Sequence, residues 1–447
     1  MSPAAAPGFG PEVESEEMCL ERQVARDVRH LHGPEEVSYG PDELVLVCLA
    51  RDGEPWVRQF IERHLKLGVK HVVILDNGSA DRTVEIASGY SRVTVLRTTL
   101  PFKTHKDAAR RYLLKRFGTG RWILYLDIDE VFDYPYSDVV GLGELLRYLT
   151  RRAYTAVVTQ MLEMFPDRTL TAADGGREDD LEATHRFYDL SDVALFEYPA
   201  VLHDRATNNL VSNPEIKLHR GGIQTTLSGH LTIGIKHALV FMDGRLDPVN
   251  TSIHWVGNAR LADITGLVKH YRFTTDFYER ALRAVQEESY GGGSAKYRKY
   301  IEALKDTPGL RLRREGAREL RNVEQLVEER FLTVSADYLM LMDRLERAAR
   351  PDGILRHRNY RLEQAFSALR THREKDPDRE KKRRLEEEVR ELEGRLLAGQ
   401  TAVERLECDN ASLRADISEV RDSKVMKALV RLARLRRKVF ELLGRRG

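Results

Sequence analysis

Apolar residues along the chain fall into short continuous runs separated by stretches of helical periodicity. Residues 44–50 are uniformly apolar between flanking Pro, Asp and Gly residues, which predicts a buried parallel strand. Trp56, Phe60, Ile61 and Leu65 recur at helical spacing as far as Gly68, and residues 69–75 give a second strand that stops at Asp76-Asn77-Gly78-Ser79. Residues 82–88 read as a helix and 93–96 as a third strand. Thr104 and Asp107 read as a capping box opening a helix to about Phe117. Residues 122–126 form a fourth strand that runs into Asp127-Ile128-Asp129-Glu130, and a helix over 140–151 and a strand over 154–161 follow. This alternation predicts a doubly wound α/β sheet whose ligands sit at the carboxyl ends of the strands. Both acidic clusters fall at such ends.

From 167 to 270 the pattern is less regular, with short strands, polar turns and several His and Gly residues, and it reads as the closing half of the same domain. Helical sequence resumes at Thr274, is interrupted by Gly291-Gly292-Gly293, and continues in charged form towards Arg370. Leu385, Leu392, Leu406, Leu413 and Val420 then recur at multiples of seven, with Val389, Leu396, Val403, Asn410 and Ile417 on the complementary seam. Such an a/d pattern, with a polar Asn at one seam position, predicts a parallel two-stranded coiled coil and hence a homodimer; a long single helix is the other reading. The layout is therefore a flexible leader over 1–40, an α/β domain over 42–300, connecting helices over 301–375, a coiled coil over 379–423 and a basic amphipathic helix over 424–447.

Composition sharpens this division. A chain of 447 residues exceeds what one core usually organises, and 42% apolar with 32% charged residues suits a packed domain joined to solvated helix. The formal net charge of +2 gives no global reason to expect nucleic acid as a partner. Cys19, Cys48 and Cys408 are widely spaced, which fits a reducing compartment, the cytoplasm, rather than a disulfide framework or zinc cluster. No apolar run approaches the roughly 20 residues that span a bilayer, so membrane association is expected to be peripheral.

The acidic clusters carry the candidate chemistry. Asp127 and Asp129 alternate at a strand end, where a divalent cation would neutralise them. Mg²⁺ or Mn²⁺, which prefer oxygen ligands and bind through one or two carboxylates plus substrate phosphates, suit that spacing. An acid-rich turn capping the next helix is the alternative. In the second cluster, Asp76, Asn77, Ser79 and Asp81 surround Gly78, which permits a tight turn; their carboxylate and amide groups can bond a base or ribose, or simply cap the helix that follows.

Arg51-Asp52-Gly53-Glu54, the HLKLGV of residues 64–69, the DNGSADRT of 76–83 and the strand running into LDIDE at 126–130 stand in an order that resembles the family 2 glycosyltransferases. Later blocks, VVTQMLEMFPD and HYRFTTDF, are similar to the same bacterial branch, and the resemblance spans roughly residues 42–300; Asp52 departs from the Asn usual in the first element. The resemblance implies a GT-A type fold, a doubly wound mixed sheet that binds a nucleotide diphosphate sugar. By that likeness Asp76 faces the base, Asp127 the ribose or metal-bound water, and Asp129 the metal, with His254 or His270 as a further metal ligand. Inversion at the sugar would need a carboxylate to take the acceptor proton, and Glu163, after the strand over 154–161, is the first candidate.

Lys217, His219 and Arg220 precede Gly221-Gly222, a pairing that suits a diphosphate or, equally, a solvated hairpin. In the tail, Val425, Leu429, Leu432, Leu435, Val439 and Leu442 keep helical period while Lys427, Arg431, Arg434, Arg436, Arg437 and Lys438 crowd the other face. That helix suits an anionic membrane surface on the inner face, beside a glycan or lipid-linked acceptor; a partner-binding or RNA-binding helix is the rival. Two other functions fit the core. One is a nucleotidyltransferase, against which the lack of a Gly-rich phosphate loop after the first strand counts, and the other a non-catalytic sugar-nucleotide binder serving a coiled-coil scaffold.

Overall fold

The computed structural model describes residues 16–170, 180–198, 208–229, 234–248, 254–287, 294–307 and 309–349. The expected coiled coil over 379–423 and basic helix over 424–447 lie outside the described residues. The chain opens with α1 (Glu16–Asp27) and β1 (Arg29–His32), then alternates through β2 (Val45–Ala50), α2 (Glu54–Leu67), β3 (His71–Asp76), α3 (Thr83–Ala87), β4 (Val93–Arg97), α4 (Phe102–Gly118) and β5 (Trp122–Tyr125). It continues with β6 (Glu130–Asp133), α5 (Leu142–Arg151), β7 (Ala156–Glu163), α6 (Leu181–Thr184), β8 (Phe187–Asp189), β9 (Val193–Glu197) and β10 (Leu210–Val211). Next come β11 (Lys217–Gly221), α7 (Ile223–Ser228), β12 (Ile235–Phe241) and β13 (Arg260–His270). Helices α8 (Phe277–Gln286) and α9 (Ala295–Asp306), strand β14 (Ala317–Glu319) and helices α10 (Glu324–Glu328) and α11 (Ala336–Ala349) follow.

The large sheet is mixed, in the order β1-β4-β3-β2-β5-β12-β7-β13-β10, with β6 also paired to β13. Strands β4, β3, β2 and β5 are parallel, β12 lies antiparallel between β5 and β7, and β13 is parallel to β7. The carboxyl ends of β2, β3, β5, β7 and β13 therefore share one edge, and the amino end of β12 arrives among them.

Every residue of β2 and β3 is buried, because helices cover both faces: α4 packs on β2, and α2 on β3 and β6. Each buried Val or Leu contributes roughly 1.5–3 kcal/mol. Helix α2 follows from its sequence: Pro55 sits in the first turn, Gly68 closes the end at φ 109°, and Trp56, Val57, Phe60, Ile61 and His64 form the buried stripe.

Several boundaries differ from expectation. Residues 16–32 of the expected leader join the domain, since α1 packs on α4 and β1 extends the sheet beside β4. Arg111 and Lys115 hold Glu21 across the α1–α4 contact. No capping box opens α4, which starts at Phe102, two residues before Thr104; Thr104 donates its hydroxyl to the Pro101 carbonyl instead. Strand β7 runs on to Glu163, two residues past the expected end, because parallel pairing with β13 continues that far. Residues 301–349, expected as packing and connecting helices, do pack onto the domain, with Tyr338 of α11 meeting Tyr148 of α5 edge-on at 5.3 Å, but they also supply a strand, β14, which pairs with β8.

Candidate functional site

Two turns at the carboxyl edge are interlocked. Asp52, at φ 50°, donates its N–H to Ser79 Oγ at 2.9 Å and accepts the Ala80 N–H at 2.8 Å. The Glu54 N–H reaches Asp81 Oδ2 at 2.9 Å, while Glu54 Oε2 accepts the Arg82 N–H at 3.0 Å. Asp81 also accepts the Thr83 N–H at 3.0 Å, near the start of α3. Ser79 and Asp81, expected beside the nucleotide, thus hold the loop after β2 against the loop after β3. Asp76 is fully buried at the end of β3, accepts N–H bonds from Gly78 and Ser79, and pairs with Arg97 Nε at 2.8 Å. Asn77 donates to the Leu100 carbonyl at 2.9 Å. Gly78 stands at φ 75°, a backbone conformation that residues with a side chain rarely adopt, although the space beside it is open: a Cβ there would meet no atom within 4 Å.

The second acidic cluster divides in two. Asp127 accepts the Tyr125 hydroxyl at 3.0 Å, approaches Arg110 at 3.4 Å, and meets Lys236 Nζ at 3.1 Å. Glu130 takes the same ammonium at 2.5 Å and accepts the Asp127 N–H at 2.8 Å. Lys236 is wholly buried; burial works against its charge, but Asp127 and Glu130 outweigh it and raise its pKa. Burial likewise opposes the Asp127 anion, yet Lys236 and Arg110 hold that carboxyl well below the usual range.

Asp129 turns the other way. Its Oδ2 lies 3.0 Å from His270 Nε2, and His270 Nδ1 lies 2.7 Å from Glu163 Oε1. The backbone fixes this meeting: Tyr271 N–H bonds the Asp129 carbonyl at 2.8 Å, and Met164 N–H bonds the His270 carbonyl at 2.9 Å. Trp56 of α2 secures the same segment by donating Nε1–H to the Tyr271 carbonyl at 2.8 Å. Burial disfavours an imidazolium, but Glu163 and Asp129 raise His270 to about 10. Arg272 reaches within 3.4 Å of His270 Nε2, and its Nε is buried without a hydrogen-bond partner among the described residues. Behind Glu163, Gln224 of α7 donates Nε2–H to Oε1, while its own carbonyl accepts from Lys296 and, at 3.3 Å, Tyr300.

Of the residues expected from sequence, Asp127, Asp129, Glu163 and His270 therefore gather at one place. His254 turns its Nδ1 to the Ile235 carbonyl at 2.6 Å, and burial, helped by Lys236 and opposed by Asp127, lowers it to about 4. Lys217 pairs with Glu197 at 2.5 Å, and Arg220 lies over the Phe196 ring at 5.3 Å, both across the β9–β11 ribbon. His219 packs on Phe331 with its Nδ1 buried and unpartnered among the described residues. Sequence reasoning missed Lys236, Arg110, Arg272 and Gln224. Lys236 had one signal, an ionisable residue inside the apolar run of β12.

The donor set fits a divalent cation as a site of few protein ligands. A carboxylate oxygen and an imidazole nitrogen 3.0 Å apart stand at about the spacing of adjacent ligands on a six-coordinate Mn²⁺ or Mg²⁺. Among the described residues no cluster of three or more His, Cys, Asp or Glu side chains is placed to hold a metal, so substrate phosphates and water would complete the shell.

Residues 44–172 match the family model for glycosyl transferase family 2. That glycosyl transferase family 2 match takes in β2 through β7, and so includes Asp76, Asp127, Asp129 and Glu163 but not His270. Among solved structures, the chain is similar to glucosyl-3-phosphoglycerate synthase from Mycobacterium tuberculosis in complex with Mn²⁺, uridine diphosphate and glucosyl-3-phosphoglycerate, at 18% identity and a TM-score of 0.19. The match covers 30% of this chain and spans about half, 52%, of the synthase. It is also similar to HddC from Yersinia pseudotuberculosis, at 12% identity and a TM-score of 0.22, over 44% of this chain and 76% of that one. These likenesses are too slight to carry a substrate or a mechanism. No curated protein matches the chain.

Proposed function

We propose that the protein transfers a sugar from a nucleotide diphosphate donor to an acceptor hydroxyl on a glycan or lipid-linked molecule, using Mn²⁺ or Mg²⁺ held by Asp129 and His270. The observation that carries this reading is the meeting of Asp129 and His270 at 3.0 Å, at the carboxyl edge of a sheet whose first half matches glycosyl transferase family 2. When bound, the cation would stabilise the charge of a departing nucleoside diphosphate. Asp127, neutralised by Lys236 and Arg110, is left to accept hydrogen bonds rather than to share the cation. Arg272 offers guanidinium N–H groups beside the same place, suited to diphosphate oxygens. The turn around Asp76 and Asn77 forms the floor for the nucleoside. The GT-A type fold is supported by the parallel β4-β3-β2-β5 order followed by an antiparallel insertion.

Dimerisation through residues 379–423 and attachment to the anionic inner face of a membrane through 424–447 are supported by sequence pattern alone. Among the described residues no helix is long and apolar enough to cross a membrane.

The test is calorimetric binding and nucleotide release with UDP-, GDP- and dTDP-sugars, with and without Mn²⁺, for wild type and Asp129→Ala. Metal-dependent binding of one donor class, lost in the variant, and release of the diphosphate are expected. No binding of any donor would overturn the proposal, and pyrophosphate release from a nucleoside triphosphate would replace it with nucleotidyl transfer. The anomeric configuration of the product, read by NMR, distinguishes inversion from retention.

A further inference from the structure

We infer that Glu163 is a positioning residue that orients His270 towards the divalent cation it shares with Asp129, and is not the group that deprotonates the acceptor. The inference rests on the metal-dependent transfer reading.

It starts from backbone register. Glu163 and His270 end the neighbouring parallel strands β7 and β13 and are direct register partners, so their side chains leave the sheet on the same side. The His270 carbonyl accepts the Met164 N–H at 2.9 Å at that same point, which leaves the two strand ends little freedom to part. His270 is 3% exposed.

Next comes the hydrogen-bond logic of the ring. An ionised carboxylate only accepts, so Glu163 Oε1 at 2.7 Å keeps a proton on His270 Nδ1. As an imidazolium the ring donates to both carboxylates; a cation arriving at Asp129 would displace the proton on Nε2, the atom 3.0 Å from Asp129 Oδ2, and free that lone pair while the Nδ1 proton stays with Glu163. Metal-binding imidazoles use this arrangement widely: one nitrogen ligates while the other donates to a carboxylate that fixes the tautomer and ring angle. Glu163 is itself fixed from behind. Gln224 can donate to Glu163 only because its carbonyl is claimed by Lys296 and Tyr300, which settles which end of the amide faces forward. Helices α7 and α9 thus steer an atom of β13 through two side chains. A general base must instead keep an oxygen in hydrogen-bond reach of the acceptor hydroxyl. Glu163 Oε1 already accepts twice, and Oε2 is buried without a partner among the described residues.

The full-length protein tests this. Mn²⁺ affinity is measured by calorimetry and by the electron paramagnetic resonance signal of free Mn²⁺, for wild type, Glu163→Gln, Glu163→Asp, His270→Ala and the Glu163→Gln/His270→Ala pair. Glu163→Gln is expected to weaken Mn²⁺ binding about 10- to 100-fold, with donor turnover recovering as Mn²⁺ is raised. In the His270→Ala background the same change is expected to add nothing, because its effect passes through the ring. Glu163→Asp, which keeps the charge, is expected to bind Mn²⁺ more tightly than Glu163→Gln. An unchanged Mn²⁺ affinity in Glu163→Gln overturns the inference, and turnover lost at saturating Mn²⁺ with that affinity intact makes Glu163 the base. An equal, independent loss in the His270→Ala background overturns it too. A wild type that binds no Mn²⁺ would instead sink the metal-dependent reading itself.

Discussion

His64 shows how a single ring can tie a motif to the site and set a pH limit. It donates Nδ1–H to the Phe60 carbonyl at 2.6 Å and accepts the Phe132 N–H on Nε2 at 3.0 Å, so a second proton would break the bond to β6. Burial accordingly lowers its pKa to about 4. Because the folded value lies below the unfolded one, about 6.5, the unfolded chain takes up the proton first on acidification. The stabilisation is complete above about pH 6.5 and is lost on the way to about pH 4, by roughly 3 kcal/mol for this residue. Guanidinium titrations across that window are expected to show the loss, with a shallower slope in His64→Gln. At Lys236, Lys236→Met is expected to cost about 3–5 kcal/mol in a urea titration at neutral pH, because it strands Asp127 and Glu130 without their cation. The penalty should shrink as pH falls and those carboxylates take up protons. The sequence showed the acids but not this partner, since Lys236 lies more than a hundred residues from them and meets them only through strand order. Arg110 was hidden differently, one cation among many on a charged helix.

Elements were legible where their signals are local. The first four parallel strands and α2 follow from apolar runs, a helical stripe and a closing glycine, and their carboxyl ends pointed to Asp76, Asp127 and Asp129. What local pattern could not reveal is the antiparallel entry of β12 between β5 and β7, because a strand buried on both faces reads the same in either direction. The interlocked turns were half legible: Ser79 and Asp81 stood out as capping residues, but not that they cap a loop from another strand. Asp81→Ala removes acceptors for Glu54 and Thr83 and is expected to cost about 1–2 kcal/mol in thermal or denaturant unfolding.

At the scale of the whole molecule, the heptads outside the described residues predict association that is separable from the α/β domain. Leu392→Asp in the full-length chain, which sets a charge in the apolar seam, is expected to convert a dimer into a monomer in sedimentation velocity. A wild type that already sediments as a monomer would reject the coiled coil. Within the α/β domain, the internal ammonium has a practical corollary for handling the protein. Since Lys236 and Arg110 together already balance Asp127 and Glu130, this half of the acidic cluster does not depend on a divalent ion for its charge balance. Dialysis against a chelator is expected to leave the domain folded, with the melting temperature lowered only by the linkage of the bound ion, and to leave a vacancy that can be refilled at will. Cobalt, with visible absorption bands that report its ligands, then becomes a colour indicator for the site in an otherwise undisturbed protein.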